Sequence, residues 1–285
     1  MRFYVDQWVK SGAVQLGFQL KCLFGSLQYA KEVKAYRESL SRLEETRVFL
    51  DIIPQKGLVY IPIPKAATSK IKRLLDEIDG NRRVFLNRNT KDRFGNPPTM
   101  RELNPVAANK ALHAKSSLRF TFVRTPYARL ASAWVDKFKD KPLVPGAAFS
   151  RGTPEIDTYL ALLPELKGSL PSGKEVSLGF RDFVTYAIES KDLKLDNHIR
   201  SQASIVEDSE VTLDFVGRVE RFSEDFEKII DQVGGLDFIR PKVSKRVHSK
   251  KGGEKVDLFD SETKQAVYQA YRADFDRFDF SKELG

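Results

Sequence analysis

Two cationic side chains stand at matching places in two separate stretches of this sequence. Lys65 lies within "LVYIPIPKAATSKIKRLLDEI", between the apolar run Leu58–Ile61 and a segment in which Ile71, Leu74, Leu75 and Ile78 recur at helical spacing. Arg124 lies within "LRFTFVRTPYARLASAWVDKF", at the end of a second apolar run and just before Pro126, which suits a first helical position. A helix N-terminus offers unpaired N–H groups and the positive end of the helix dipole, so a cation on the entering loop completes an anion site. The first loop contains no glycine and matches neither G-x-x-x-x-G-K-[ST] nor G-x-G-x-x-G. Two such sites over one crevice predict a ligand with two separated phosphate groups, and a 3′,5′-bisphosphorylated adenosine fits better than a dinucleotide. The side chains able to accept a proton near neutral pH are His113, His198 and His248.

These residues need a scaffold. Strands are expected at Leu58–Ile61, near Arg83–Leu86, at Leu118–Val123 and at Leu213–Val219. Helices are expected at Thr68–Ile78, Pro126–Phe138, Phe180–Glu189, Ser223–Val233 and Glu262–Phe275. Strands alternating with helices predict an α/β fold with a parallel sheet covered on both faces. In such sheets ligands bind beyond the carboxyl ends of the strands, where Lys65 and Arg124 both fall. Residues 1–50 read as a helical segment and residues 51–285 as the main domain. Residues 87–110 and 139–178 read as long loops on the substrate side.

The chain has 285 residues, 41% of them hydrophobic, enough for one α/β domain with a sizeable core. Its 48 basic and 39 acidic residues give a net charge of +9, which favours anionic partners. The basic residues are spread along the chain, so charge alone selects none. With one cysteine, Cys22, a disulfide within the chain and a Cys-rich metal site are both excluded, and three histidines argue against a His-based zinc site. Ser11–Ala30 is moderately apolar but interrupted by Lys21. It reads as an amphipathic helix, packed on the domain or lying on a membrane surface.

Several motifs in sequence order resemble those of PAPS-dependent sulfotransferases, in particular the Golgi carbohydrate sulfotransferase family. "PKAATSKIKR", Pro64 to Arg73, is similar to the 5′-phosphosulfate loop, and "FVRTPYARLASAWVDKF", Phe122 to Phe138, looks like the 3′-phosphate motif. "DNHIRSQ" from Asp196, "DFVGRVERFSEDFEKI" from Asp214 and "YRADFDRFDF" from Tyr271 resemble the family's D-x-H-x-x-x-Q, D-F-x-G-R-x-E and Y-x-x-D-F elements. The similarity spans about residues 57 to 280.

The resemblance implies a P-loop-NTPase-like three-layer sandwich and 3′-phosphoadenosine 5′-phosphosulfate as donor, with no metal. It implies a hydroxyl acceptor on a carbohydrate or glycolipid, and no nucleic acid. It places Lys65 beside the bridging oxygen of the donor. The N–H groups of Ala66, Ala67, Thr68 and Ser69, with the hydroxyls of Thr68 and Ser69, would hold the 5′-phosphate. Arg124 and Ser132 would hold the 3′-phosphate. Lys250 and Lys251, in the basic stretch His248–Gly253, either close over the same phosphate or remain solvated. His198 and His113 are the candidate bases, with His248 and a carboxylate such as Glu102 as alternatives.

The sequence departs from the family at Ala67, where glycine is usual, and at Ile71, where many relatives carry Trp. The membrane anchor and disulfide cysteines of the Golgi relatives are not seen. The expectation is therefore a cytoplasmic enzyme with peripheral membrane contact through residues 1–30 left open. A P-loop-like kinase and a non-enzymatic binder of acidic glycans or nucleic acid are the competing readings. The first lacks a Gly-Lys-Ser/Thr loop and magnesium ligands. The second rests on charge alone.

Overall fold

Alternation within the two apolar runs decides the architecture. The computed structural model describes residues 27–80, 105–139, 179–193, 196–244 and 258–282. Its sheet has four strands in the order β1 (Asp51–Ile53), β2 (Leu58–Ile61), β3 (Leu118–Val123) and β4 (Phe215–Arg218). β1 runs antiparallel to β2, while β2, β3 and β4 are parallel, with Tyr60 opposite Phe120 and Phe122 opposite Gly217. Leu58 and Tyr60 enter one hydrophobic core, and Val59 and Ile61 enter the other. Both faces are thus buried, which is why β2 reads as an unbroken apolar run.

The helices are α1 (residues 27–45), α2 (Thr68–Asp79), α3 (Pro105–His113), α4 (Pro126–Lys137), α5 (Phe180–Ser190), α6 (Gln202–Asp208), α7 (Phe222–Val233), α8 (Arg240–Val243), α9 (Ser261–Ala270) and α10 (Arg272–Phe278). On one face α2 and α7 bury Ile71, Leu74, Leu75, Phe222, Phe226 and Ile229 against Leu58, Tyr60, Phe120 and Phe122. Tyr60 stacks on Phe120 at 5.1 Å between centroids. On the other face α4, α5, α6, α9 and α10 share a core that includes Tyr127, Leu130, Phe183, Ile205, Val267 and Phe275. Tyr36 and Leu43 of α1 are buried in that same core. Gly217 permits the close approach of β4: a Cβ built there would lie 2.5 Å from the Phe122 ring.

The strands at 58–61 and 118–123 fall where the sequence places them, and α2, α4, α5 and α7 match to within a residue or so. The expected single helix from Glu262 to Phe275 is two helices, because the chain leaves helical geometry at Tyr271 (φ −106°, ψ 22°). Residues 105–110, expected as loop, belong to α3. The expected strand near Arg83–Leu86 lies outside the described residues. Among the described residues, no helix is long and apolar enough to cross a membrane.

Candidate active site

The loop from β2 to α2 solves a glycine's problem without glycine. Lys65 has φ 68° and Ala67 φ 60°, both left-handed. That conformation costs an L-residue on the order of 1–3 kcal/mol and persists where surrounding contacts impose it. One imposing contact is visible at Ile63, whose carbonyl accepts from the Ala66 N–H (3.1 Å) and from the Thr68 hydroxyl (2.5 Å). These two groups are therefore engaged within the turn. Ala67 caps α2 without a side-chain bond, and the N–H groups of Thr68 and Ser69 have no hydrogen-bond partner among the described residues. The dipole and the unpaired donors of α2 therefore face the loop that carries Lys65. The Lys65 ammonium sits 2.5 Å from Asp136 Oδ2 on α4, with the lysine side chain 15% exposed and the aspartate 47% exposed.

Arg124 leaves the carboxyl end of β3. Its backbone is held from both sides by one amide: Gln202 Oε1 accepts from the Arg124 N–H (3.0 Å), and Gln202 Nε2 donates to the Arg124 carbonyl (2.8 Å). Burial pushes the Arg124 guanidinium down from its ordinary pKa, and the charge of Glu220 pulls it back. Among the described residues no hydrogen bond or ion pair engages this guanidinium. A partly desolvated cation so placed favours an anionic ligand. Thr125 caps α4 by accepting from the Ala128 N–H (3.3 Å), and Pro126 occupies its first turn. Ser132 is half-buried on α4, on the side shared by Arg129 and Asp136 at helical spacing.

Arg129 is 1% exposed and donates to three carbonyls: Pro64 (3.0 Å), Arg200 (2.7 Å) and Asn197 (2.5 Å). Desolvation lowers its pKa, opposed first by the charge of Asp274. One guanidinium thus joins the residue before Lys65 to the residue before His198. The His198 Nδ1 lies 2.6 Å from Asp196 Oδ1, which also accepts the His198 backbone N–H (2.8 Å). With Nδ1–H donated to the carboxylate, Nε2 is the ring's acceptor.

The structure therefore brings Lys65, Ala66, Ala67, Thr68, Ser69, Arg124, Ser132 and His198 to the carboxyl ends of β2 and β3 and the segments that flank them. It does not bring His113 there. His113 ends α3 and lines a cavity of about 290 Å³ with Arg42, Arg119 and Glu210. Arg119 and Arg124 occupy opposite ends of β3, about 16 Å apart at a rise of about 3.3 Å per residue. Lys250, Lys251, His248 and Glu102 lie outside the described residues. Residue-by-residue reading missed Arg129, Asp136, Asp196, Gln202 and Asp274. All five belong to stretches singled out in the sequence, but their partners are fixed by tertiary contacts.

Comparison with known proteins identifies the family. The sequence profile of the sulfotransferase family matches residues 50–281. Carbohydrate sulfotransferase 11 of Mus musculus is 25% identical over 236 residues, covering 79% of this chain and 64% of the relative. Carbohydrate sulfotransferase 14 of Danio rerio is 26% identical over 207 residues, covering 71% and 53%. Carbohydrate sulfotransferase 8 of Mus musculus is 26% identical over 263 residues, covering 87% and 60%. The chain thus spans less than two thirds of the length of these relatives. No solved structure matches it significantly.

Proposed function

The chain belongs to the sulfotransferase family, and on that premise we propose that it transfers a sulfuryl group from 3′-phosphoadenosine 5′-phosphosulfate to a hydroxyl of a carbohydrate. The observation that carries this reading is the pair of anion sites at the carboxyl ends of adjacent parallel strands. One is built from Lys65 and the unpaired N–H groups that open α2, and the other from the partly desolvated Arg124 before α4. The donor set fits the group: two separated phosphates need two cationic pockets. The carbohydrate acceptor is inferred from relatives that are themselves named carbohydrate sulfotransferases.

In this reading the donor supplies an activated sulfuryl group on a phosphate leaving group. Arg124, with Ser132, binds the 3′-phosphate through charge-assisted hydrogen bonds. The N–H groups of Thr68 and Ser69 bind the 5′-phosphate. Lys65 meets the negative charge that gathers on the bridging oxygen as the sulfur–oxygen bond breaks. His198 Nε2 takes the acceptor's hydroxyl proton as its oxygen bonds to sulfur, and Asp196 steadies the resulting imidazolium.

Calorimetric titration with adenosine 3′,5′-bisphosphate tests the donor assignment. Binding is expected, and a folded protein that gives no heat overturns it. Transfer of labelled sulfate to a panel of glycans tests the reaction. Lys65→Ala is expected to lose about 100-fold or more in rate, the scale of removing one charge-stabilising group. Full activity in that variant removes Lys65 from the mechanism.

A further inference from the structure

The Y-x-x-D-F stretch near residue 274 has no role in the chemistry above, yet its aspartate is 0% exposed. Asp274 accepts four hydrogen bonds. Oδ1 takes the Ser201 hydroxyl (2.5 Å) and the Ala203 N–H (2.8 Å), and Oδ2 takes the Gln202 N–H (3.0 Å) and Gln202 Nε2 (3.2 Å). Four donors fill the acceptor capacity of a carboxylate. Three residues earlier, the Tyr271 hydroxyl donates to the Ile199 carbonyl (2.6 Å). The short element α10 and the residue before it therefore fix the whole turn from Ile199 to Ala203.

The bond to Gln202 Nε2 has a particular effect. A carboxamide can turn over and exchange its oxygen and nitrogen at little cost in shape. Here Asp274 accepts only from the NH₂ end. With one N–H on Asp274 and the other on the Arg124 carbonyl, Oε1 must face the Arg124 N–H. Both peptide groups flanking the Arg124 Cα are thereby fixed, and with them the direction in which its side chain departs.

We propose that Gln202 and Asp274 are positioning residues that aim Arg124 and so set selectivity for a nucleotide carrying a 3′-phosphate. This rests on the donor reading of Arg124 given above. The readout is the affinity for adenosine 3′,5′-bisphosphate divided by that for adenosine 5′-monophosphate. A general loss of folded protein lowers both affinities together. Mis-aiming Arg124 lowers only the first.

Calorimetry on the full chain, with thermal unfolding as the check on folding, compares the native protein with Gln202→Met, Ser201→Ala and Arg124→Ala. The ratio is expected to fall about tenfold in Gln202→Met, the scale of one hydrogen bond to a charged group. In Ser201→Ala, which removes one of four bonds to Asp274 together with the side-chain cap on the Ser204 N–H, it is expected to fall about two- to threefold. Adding Gln202→Met to Arg124→Ala is expected to change the ratio little further, because both act on the same contact. A native ratio near one, or an unchanged ratio in Arg124→Ala, overturns the donor reading and this proposal with it. A native preference that Arg124→Ala abolishes but that folded Gln202→Met keeps overturns the proposal alone. If Gln202→Met does not fold, an unchanged ratio in Ser201→Ala overturns it.

Discussion

Lys65 is held by a carboxylate before any donor arrives. In the proposed reading, its 2.5 Å contact with Asp136 means that an incoming phosphosulfate competes with a resident anion and meets a like charge beside it. Asp136→Asn is therefore expected to tighten adenosine 3′,5′-bisphosphate about three- to fivefold, consistent with the up to about 1 kcal/mol of a half-exposed pair. Calorimetry reads this directly, and unchanged or weaker binding removes Asp136 as a competitor. The cations of the site were legible in the sequence because a strand, a basic loop and a helix start form a local pattern. Arg129 was visible only as a letter in a motif. Its three acceptors are main-chain carbonyls at Pro64, Asn197 and Arg200, and a carbonyl leaves no signature in residue identity. His113 stands by the opposite end of β3 from Arg124, which closeness in sequence to that strand does not reveal.

Among the elements, α7 is fastened to β4 by a buried carboxylate. Asp225 is 1% exposed and accepts the Arg218 N–H (2.9 Å) and the Lys228 ammonium (2.8 Å). Burial alone would raise its pKa, but these hydrogen bonds and the charges of Lys228 and Arg221 outweigh it and hold the group below the ordinary 3.8. A carboxyl depressed in the folded state stabilises it above the unfolded value and loses that contribution as pH falls through the folded value. Asp225→Asn is expected to cost about 1–2 kcal/mol at pH 7. The gap to the native protein should narrow below the ordinary value of 3.8. Urea unfolding at neutral and acid pH checks this, and a gap that widens in acid contradicts it. The sequence revealed β2 and β3 because both of their faces are buried, and α2 and α7 because one stripe of each is apolar. It did not reveal β1, whose three residues begin with Asp51 and depend on pairing with Tyr60 for their shape. Nor did it reveal α6, a seven-residue helix whose first N–H groups are capped by a carboxylate on α10.

For the molecule as a whole, the net charge of +9 and the two cationic pockets of the proposed donor site would act on the same ligand. Affinity for adenosine 3′,5′-bisphosphate is expected to fall as salt rises, and more gently in Arg124→Ala, since one fewer close charge remains to be screened. Titrations at a series of salt concentrations measure both slopes, and equal slopes argue against Arg124 as a phosphate contact. The order of motifs along the chain was readable, but the way they close on one another was not. Lys65 and Arg124 precede the contacts that hold them by many residues, for the turn at Ile199–Ala203 is completed by Tyr271 and Asp274. That gives the molecule a direction in time. During synthesis Lys65 and Arg124 leave the ribosome well before Asp274, so in the reading proposed above donor selectivity is completed only once α10 has been made. A nascent or truncated product ending before Tyr271 would carry Lys65, Arg124 and Gln202 without the carboxylate that holds the Gln202 amide.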